Sequence, residues 1–566
     1  MLETLMDQIL PLVQKPARYI GNELHSSHKD WAKAAVKVCL TYPDTYEIGM
    51  SNLGLQILYH IINDQPDCLA ERVFCPLPDM ENQLQTSPPK ADPPPAENLK
   101  LQSLESFKPI NEFDIIGFSL GHELTYTNIV TILKLAGLPL YSKDRGEKDP
   151  LILGGGPCAF NPEPVADFFD LFVLGEAEEV IIEIVKILRT TIHEPRSTKL
   201  PALAKIPGVY VPGISGKVTK RYIKDLDTAP FPTKPIVPFV EAIHDRAALE
   251  IMRGCKWGCK FCQAGWTYLP VRERSEELLL KSADELIKNT GYEELSLLSL
   301  SSSDYSHIET LARTLAKKYE AKGINIALPS LRTNSFSVKL AREIARVRVG
   351  SLTLAPEAGT QRLRDVIGKN MTEPQIMEGV KAAFDEGIDA LKLYFMLGLP
   401  TETEEDLFGI VDLANRIHQL GRSYSKRVRI TVNLSTFIPK PHTPFQWEQQ
   451  IGIEETLAKQ RLIKKNLTAR GIELRWHQAE ASFLEGVFSR GDRRLTAVIE
   501  RAWELGARLD AWSEHFKFPL WQQAFADCGL DPNTYLAAKP KDQPLPWDFI
   551  ETGVSKEALL RAKNKD

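Results

Sequence analysis

The sequence lacks the features of a membrane-spanning or secreted protein. It has no run of about 18 apolar residues, the length that a membrane-spanning helix needs. Its first residues do not place a basic segment before an apolar one, as a secretion signal does. Its eight cysteines are not spaced as a disulfide framework, which favours a reducing compartment. We therefore expect a cytoplasmic protein without a membrane span.

The sequence also lacks a strong excess of charge. A net charge of −5 gives no overall attraction to nucleic acid, although a local basic face stays open. The composition, with 43% hydrophobic and 25% charged residues in a chain of 566, is that of a globular protein with roughly two to four domains. Residues 84–104 are an exception, because they are rich in Pro, Ser and Lys, and we expect a flexible surface insert there.

Three of the cysteines lie close together in the chain. Cys255, Cys259 and Cys262 have the spacing Cys-x3-Cys-x2-Cys, in a glycine-containing loop after an apolar run. Thiolates bind soft metals, and a short cysteine-rich loop after a strand is a usual way to hold an iron–sulfur cluster. Three ligands leave one iron without a protein thiolate, which suggests catalysis by analogy with open zinc sites. A zinc loop or structural thiols is the alternative.

Residues 1–190 are predicted to form a doubly wound parallel sheet, because predicted strands alternate with helices. Residues 114–120 are a continuous apolar run, typical of a strand that is buried on both faces. Glycines follow two later strands, at residues 154–156 and at Gly175. Glycines at the carboxyl ends of such strands form the crevice where cofactors bind. A plain strand-to-helix turn is the alternative for each of them.

Residues 246–450 repeat a βα unit six times, which predicts a partial (β/α)6 barrel with its functional residues at the carboxyl ends of the strands. The six predicted strands are residues 248–251, 294–298, 324–328, 351–354, 390–395 and 430–434.

Two less regular parts flank this barrel. Residues 191–245 are predicted to be a linker with a small β element, in which residues 206–211 and 218–222 pair as a hairpin. Residues 451–566 are predicted to be mainly helical, with a short strand at 475–480. Their tryptophan-rich tail is predicted to be a packed cap, with a substrate reader as the alternative.

The cysteine loop followed by six βα units resembles the radical SAM superfamily, in the branch shared with methylthiotransferases and cobalamin-dependent enzymes. Upstream landmarks look like those of the cobalamin-binding Rossmann domain that precedes the core of many radical SAM proteins, at residues 116–120, 154–157 and 175–178. The whole chain resembles uncharacterised bacterial proteins of this kind, through residues 47–52, 161–164 and 491–494. The implied fold is α/β, with a Rossmann-like cobalamin-binding-type domain, a partial radical SAM barrel and a mainly helical C-terminal region.

The resemblance implies two cofactors in the barrel. Cys255, Cys259 and Cys262 would hold three irons of a [4Fe–4S] cluster, and S-adenosylmethionine would chelate the fourth iron. One-electron transfer from the cluster would then cleave the sulfonium and yield a 5′-deoxyadenosyl radical. The protein would position these groups while the cofactors do the chemistry. A one-electron reductant such as flavodoxin or ferredoxin is the implied partner.

The resemblance also implies contacts to S-adenosylmethionine. Phe261 has the position that packs near the adenine, with shielding of the cluster as a compatible alternative. The segment after the second strand, with Ser302, Ser303 and Asp304, would meet the methionyl amino group through hydroxyls and a carboxylate, although the family's glycines are replaced there.

Later strand ends would complete that site. Arg332, helped by Ser330, would bind the methionine carboxylate, with a surface arginine as the alternative. Glu357 would accept hydrogen bonds from the ribose, and Gly398 would let the backbone approach the adenine.

Cobalamin contacts are implied at the strand ends of the N-terminal sheet, namely Ser119, Gly154, Gly155, Gly156, Gly175 and Glu176. The family's usual Asp-x-His-x-x-Gly signature is absent, because residues 43–49 stand in its place without a histidine. Either cobalamin binds without a protein histidine on cobalt, or the domain has lost this cofactor.

The predicted function is that of a radical SAM enzyme, with cobalamin-dependent methylation or rearrangement of an unknown substrate. One alternative is an RNA-modifying radical SAM enzyme without cobalamin, but the other cysteines are too dispersed to hold a second cluster. Another alternative is a non-catalytic cobalamin or redox sensor. Against it, Arg332 and Glu357 are present together with the cysteines.

Overall fold

The computed structural model describes residues 8–86, 99–329, 338–340 and 351–565. The predicted site residues Ser330 and Arg332 lie outside these ranges. The ends of the predicted flexible insert lie inside them, and Leu84, Leu101 and Leu104 are buried, so the insert begins and ends within the packed structure. No helix in the described ranges is both long enough and apolar enough to cross a membrane.

A six-stranded sheet forms the N-terminal part of the protein, in the order β2-β1-β3-β4-β5-β6, with β6 antiparallel and the other strands parallel. The predicted doubly wound sheet is confirmed. Because the strand order reverses between β1 and β3, a crevice opens at the carboxyl ends of these two strands. The strands are β1 Val36–Tyr42, β2 Cys68–Phe74, β3 Ile115–Ser119, β4 Leu151–Gly155, β5 Leu171–Val173 and β6 Val209–Tyr210.

The two faces of this sheet are buried by different partners. One face, which includes Val38 and Leu153, packs on helices Leu53–Asn63 and Val180–Thr191. The opposite face shares an apolar cluster with helix Tyr126–Leu135 and with the C-terminal helices. The helices of this part are Tyr46–Met50, Leu53–Asn63, Pro78–Gln85, Tyr126–Leu135, Val180–Thr191 and Arg196–Leu203.

The predicted hairpin is wrong. β6 pairs with β5, and β7 (Val218–Thr219) pairs in parallel with a strand more than 300 residues away, Ile550–Glu551. β6 and β7 have only two residues each. The pairing of such a short strand depends on which sheet edge lies beside it in the folded protein, and the local sequence does not contain that information.

The barrel-like core contains two parallel sheets. The first has the order β12-β11-β8 and the second the order β13-β14-β15-β16. All six predicted strands are present. Two short strands, β9 Met252–Arg253 and β10 Arg272–Glu273, flank the cysteine loop. The main strands are β8 Ala247–Glu250, β11 Glu294–Leu298, β12 Asn325–Ala327, β13 Leu352–Glu357, β14 Ala390–Leu397, β15 Arg429–Thr436 and β16 Ile472–Trp476.

β16 is a seventh parallel strand of this core. It begins earlier than the predicted strand at 475–480, and it extends the sheet past the predicted boundary at residue 450. Ile472 and Leu474 pack against the apolar cluster beneath the helices, whereas Glu473 and Arg475 lie on the other face, as the two-residue period of a strand requires.

Helices alternate with the core strands, and local signals set their ends. Ser275 accepts a hydrogen bond from the Leu278 amide at 3.4 Å, as predicted for an N-cap, and the helix ends at Gly291 with φ of 70°. The helices of this part are Gln263–Thr267, Glu276–Thr290, Ile308–Tyr319, Gln361–Val366, Glu373–Asp385 and Glu404–Tyr424.

The C-terminal region is mainly helical and packs onto the N-terminal sheet. Trp521 and Trp547 are buried in the same apolar cluster as Phe118 and Ile129 of that sheet and its helix, as a packed cap would be. Its helices are Ile453–Asn466, Ala479–Ser489, Leu495–Glu504, Phe518–Asp527, Asn533–Leu536 and Lys556–Asn564, and its last strand is β17 Ile550–Glu551.

Candidate functional site

The cysteine loop lies between β9 and β10, at the carboxyl end of β8. Helix Gln263–Thr267 begins directly after Cys262, whose sulfur accepts a hydrogen bond from the Gly265 amide at 3.4 Å. The indole of Trp266 donates to the Cys259 carbonyl oxygen at 3.0 Å. These bonds fix the backbone around two of the three thiols.

The three thiols suit a cluster better than a single zinc ion. Within the described ranges, only His122, Glu123 and Glu485 bring three ligand atoms within 4.8 Å of one another, so the three cysteine sulfurs are spread more widely. A tetrahedral zinc ion with bonds of about 2.3 Å to sulfur would draw them closer together. Burial raises the pKa of Cys259 to about 11 and raises that of Cys262, so their thiolates need a nearby cation.

Asp304 holds the cysteine loop from the end of β11. Its carboxylate accepts hydrogen bonds from the Trp257 indole and from the Ser301 hydroxyl, and it pairs with the Lys256 ammonium at 3.1 Å. Ser302 is buried, and its hydroxyl donates to the Leu297 carbonyl oxygen at 2.9 Å. The segment predicted to meet S-adenosylmethionine therefore also anchors the cysteine loop. Ser303 lies between Ser302 and Asp304 in this segment.

Glu357 lies at the end of β13, next to the cysteine loop. Its side chain pairs with Lys369 at 3.0 Å, and both charges act on the Cys259 thiol. Its φ of 67° lies in the left-handed region, which a residue with a side chain rarely adopts, so its surroundings hold it in place. The residue predicted to bind the ribose is therefore close to two of the cysteines.

Phe261 and Gly398 lie near one another at the strand ends. Phe261 packs against a buried cluster made of Ala358, Leu363, Ile367, Leu399, Phe437 and Phe445. The Gly398 amide donates to Glu402 at 2.9 Å, and a Cβ atom at Gly398 would lie 2.6 Å from the Ile451 side chain. Close packing against Ile451 therefore explains why position 398 holds a glycine.

A cavity of about 550 Å³ lies between the N-terminal sheet and the cysteine loop. It starts at the carboxyl ends of β1, β3, β4 and β5 and continues between the sheet and helices Leu53–Asn63 and Val180–Thr191. Its opposite wall includes Arg253 and Gly254, directly before Cys255. This volume is in the range of small-molecule and cofactor sites.

Five of the six predicted cobalamin residues line this cavity: Ser119, Gly155, Gly156, Gly175 and Glu176. Gly154 is absent from its lining. A Cβ atom there would lie 2.6 Å from the ring of Phe172, so packing against that ring explains this glycine. The turn at Gly175, with φ of 99°, would bring a Cβ atom to 2.0 Å from the Arg221 carbonyl oxygen, so it also has a structural reason.

Histidine is absent from the described lining of this cavity. In residues 43–49, which stand in place of the missing signature, the acidic side chains bind other groups of the protein. Asp44 accepts from the Trp512 indole at 2.8 Å and from the Thr45 amide at 2.7 Å, and Glu47 pairs with Arg18 at 2.7 Å.

A buried ion-pair network links the cavity to the cysteine loop, and sequence reasoning missed most of it. Both carboxylate oxygens of Glu176 bind Arg272, at 2.7 and 2.8 Å. Arg253 pairs with Glu178 at 2.7 Å and with Glu250 at 2.8 Å. Burial alone raises the pKa of Glu176, but its bonds to Arg272 and the charge of Arg253 lower it overall.

Three cysteines follow the first strand of a partial βα barrel, which is the arrangement that the resemblance to radical SAM proteins implies. Residues 249–414 match the family described as "Radical SAM superfamily", and residues 54–212 match "Radical SAM proteins, N-terminal". Together the two matches span more than half of the chain. The chain belongs to the radical SAM superfamily and is a radical SAM enzyme, as predicted.

Curated relatives resemble this chain over long stretches. The uncharacterized protein MJ0966 of Methanocaldococcus jannaschii is 27% identical over 507 residues, which are 89% of this chain and 100% of the relative. The uncharacterized methyltransferase PH0819 of Pyrococcus horikoshii is 22% identical over 330 residues, which are 57% of this chain and 68% of the relative.

Among solved structures, the cobalamin-dependent S-adenosylmethionine radical enzyme OxsB with aqua-cobalamin and S-adenosylmethionine bound is similar at a TM-score of 0.48. Its sequence is 12% identical, and the match covers 93% of this chain and 77% of that one.

Proposed function

We propose that this radical SAM enzyme holds its [4Fe–4S] cluster on Cys255, Cys259 and Cys262, and a corrinoid cofactor in the 550 Å³ cavity. Methyl transfer to an unactivated carbon is the reaction that two such neighbouring cofactors suit. The observation that carries the proposal is the position of the cavity, because one of its walls, at Arg253 and Gly254, leads directly into the first cysteine.

The donor set of the loop supports the cluster. Three soft sulfur ligands with wide spacing leave one coordination site for S-adenosylmethionine. When bound, the cluster supplies the electron that cleaves S-adenosylmethionine. Asp304 keeps the loop in place, and Glu357 and Phe261 would bind the ribose and the adenine. Enzymes of this superfamily need a reductant, and we propose flavodoxin or ferredoxin.

The shape of the cavity supports a corrinoid. Its part between the sheet and the helices is lined by apolar side chains such as Val38, Ile57 and Leu153, which suits an aromatic benzimidazole tail. Gly155, Gly156 and Ser119 line the end that opens toward the cysteine loop, where the flat macrocycle would lie. Without a histidine in the lining, the lower face of cobalt would have no imidazole from the protein.

The inner face of the second core sheet is a suitable place for the substrate. A barrel of this kind is usually filled with packed apolar side chains, but here that face carries Lys392, Tyr394, Asn433 and Arg475. Tyr394 is 39% exposed. Along each of these strands, the residues on this face alternate with buried residues on the face that packs against the helices. Glu357 ends a strand of the same sheet, and its charge acts on Cys259 and Cys262, so a substrate bound at this sheet would lie close to the cluster.

The buried cysteines outside the loop argue against an RNA-modifying enzyme with a second cluster. Cys39 and Cys68 belong to the apolar clusters on opposite faces of the N-terminal sheet. Cys75 and Cys158 follow β2 and β4 and are also buried. Cys75 and Cys158 share the face of Cys39, and burial raises the pKa of these three thiols well above its usual value, which disfavours the thiolates that a cluster requires.

The test is anaerobic reconstitution of the full chain with iron, sulfide and hydroxocobalamin, followed by gel filtration. We expect bound iron together with a corrinoid absorption spectrum, and formation of 5′-deoxyadenosine from S-adenosylmethionine after reduction. Ala177→Phe would place a phenyl ring inside the cavity and obstruct a large ligand, so this variant should lose the corrinoid but keep its iron. The matched control is Ala526→Phe on an exposed helix position.

The outcomes separate the two cofactors. A wild-type protein that binds iron and cleaves S-adenosylmethionine, but never retains a corrinoid, contradicts the corrinoid proposal alone. Corrinoid binding that survives Ala177→Phe contradicts the assignment to this cavity.

A further inference from the structure

A second cavity of about 630 Å³ lies in the C-terminal region, away from the cysteine loop. It is formed by the loop after helix Ala479–Ser489, by the short helix Asn533–Leu536 and by residues 539–546, and Glu163 from the N-terminal part completes it. Its charged lining contains four basic residues and two acids: Arg490, Arg493, Arg494, Lys539, Glu163 and Asp492.

Each acid of this cavity is already paired with one arginine. Glu163 accepts two hydrogen bonds from Arg493, at 2.9 and 3.1 Å. Asp492 binds Arg494 through both of its oxygens, the shorter bond being 2.7 Å. The charges cancel within each of these two pairs. The basic residues of the cavity that remain outside such a pair are Arg490 and Lys539.

Arg490 is buried without an ion-pair partner in the described part of the chain, and the one acid whose charge acts on it from farther away is Glu448. It is only 1% exposed, and its two terminal nitrogens donate to the carbonyl oxygens of Leu536 and Ala537, at 2.9 and 3.0 Å. Its Nε has no hydrogen-bond partner. A buried charge that is bonded only to neutral carbonyls is costly, because buried charges are normally paired with an opposite charge.

Lys539 is the second basic residue without an acidic partner among the described residues. Its ammonium donates to the Thr534 carbonyl oxygen at 2.9 Å. Burial lowers the pKa of Arg490 to about 10, and burial together with the charge of Arg490 lowers the pKa of Lys539. Both pKa values fall although an acid acts on each group, Glu448 on Arg490 and Asp492 on Lys539, so burial and the neighbouring cations outweigh these acids.

We propose that this cavity binds a small molecule that carries a phosphate group, with the phosphate between Arg490 and Lys539. A phosphate monoester carries roughly −1.5 to −2 charges at neutral pH, which matches the two uncompensated cations. The wall formed by Pro544, Leu545 and Pro546 offers an apolar surface for the body of the ligand. The site is separate from the cluster and the cavity next to it, so it does not depend on the cofactors proposed above.

Titration calorimetry of the full chain tests the site, with AMP and pyrophosphate as the phosphate probes and adenosine as the uncharged comparison. We expect saturable binding of the phosphate probes, weakening with added salt, and no binding of adenosine. Lys539→Gln should weaken AMP binding about tenfold, since a hydrogen bond to a charged group is lost. Lys541→Gln is the matched control, because Lys541 is exposed in the same loop and lies outside the cavity.

Three results would overturn the proposal. The first is no binding of either phosphate probe at millimolar concentration. The second is AMP binding that Lys539→Gln leaves unchanged. The third is a single-stranded RNA oligonucleotide that binds through Lys539 more tightly than AMP does, since a nucleic-acid backbone would then be the ligand. Because Arg490 is buried and its replacement could disturb folding, the test relies on the half-buried Lys539.

Discussion

Lys260, which lies between Cys259 and Phe261, donates a hydrogen bond from its ammonium to the backbone carbonyl oxygen of Lys565 at 2.6 Å. The same ammonium also bonds to the Lys563 carbonyl oxygen at 3.3 Å. These carbonyls belong to the end of helix Lys556–Asn564, where a positive charge is favourable. A lysine inside the cysteine loop thus fixes the last helix of the protein to the candidate cluster site.

Lys260→Met should loosen the cysteine loop, because two carbonyl groups lose a buried, charged donor. We expect the free energy of unfolding to fall by about 1–3 kcal/mol and iron to be released faster to a chelator. Urea unfolding and the rate of iron loss measure these effects. Lys465→Met, at an exposed helix position, is the control. Equal iron retention in both variants would contradict the role of Lys260.

Cys259→Ala should abolish cluster loading, because only two thiols would remain in the loop. Iron and sulfide content after anaerobic reconstitution measures the effect. Cys528→Ala removes a thiol from an outer helix and should load normally. A full iron complement in Cys259→Ala would refute the ligand assignment.

Glu357→Gln should weaken the binding of S-adenosylmethionine about tenfold, because a charged acceptor for the ribose hydroxyls becomes neutral. Its iron content should stay unchanged, since Glu357 is not a cluster ligand. Equilibrium binding to the reconstituted protein measures the affinity, and Glu405→Gln on an exposed helix start serves as the control. An unchanged affinity would remove the ribose role.

Glu176→Gln should destabilise the protein by about 3–5 kcal/mol at pH 7, because Arg272 would keep a buried charge without its partner. The folded protein holds the pKa of Glu176 below that of the unfolded chain, so the pair stabilises above about pH 4.3 and this stabilisation is lost as the pH falls through the folded-state pKa.

The difference between wild type and Glu176→Gln should therefore be large in urea unfolding at pH 7 and should shrink toward pH 3. Glu194→Gln, which is exposed, should match the wild type at both pH values. A difference that stays constant with pH would mean that the carboxylate charge of Glu176 is not what stabilises the fold.

The sequence predicted those features whose signal is local. The cysteine spacing, the apolar runs of β3, β8 and β14, and the glycines at strand ends are all visible within a few residues. Five of the six residues predicted to contact cobalamin line the cavity. The sixth, Gly154, packs against Phe172, and a glycine of that kind has the same sequence signal as one that approaches a ligand.

Features that depend on distant parts of the chain could not be predicted. β7 pairs with a strand that follows it by more than 300 residues, and the hydrogen bond from Trp257 of the cysteine loop to Asp304 joins residues that are 47 positions apart. The net charge of the cavity at Arg490 likewise cannot be predicted from the sequence, because it depends on which acids pair with the neighbouring arginines in the folded protein.

The packing of the C-terminal helices on the N-terminal sheet has a consequence for folding during synthesis. Thr127 of the sheet's helix donates to Asp510, and Trp503 donates to Thr131, so a segment that is translated later completes the core of an earlier one. At a synthesis rate of about 5–20 residues per second, the apolar face around Phe118 waits roughly 20–80 s for its cover. During that interval the apolar face of the nascent N-terminal sheet lacks its cover, and its final packing requires that translation has passed Trp521 and Trp547.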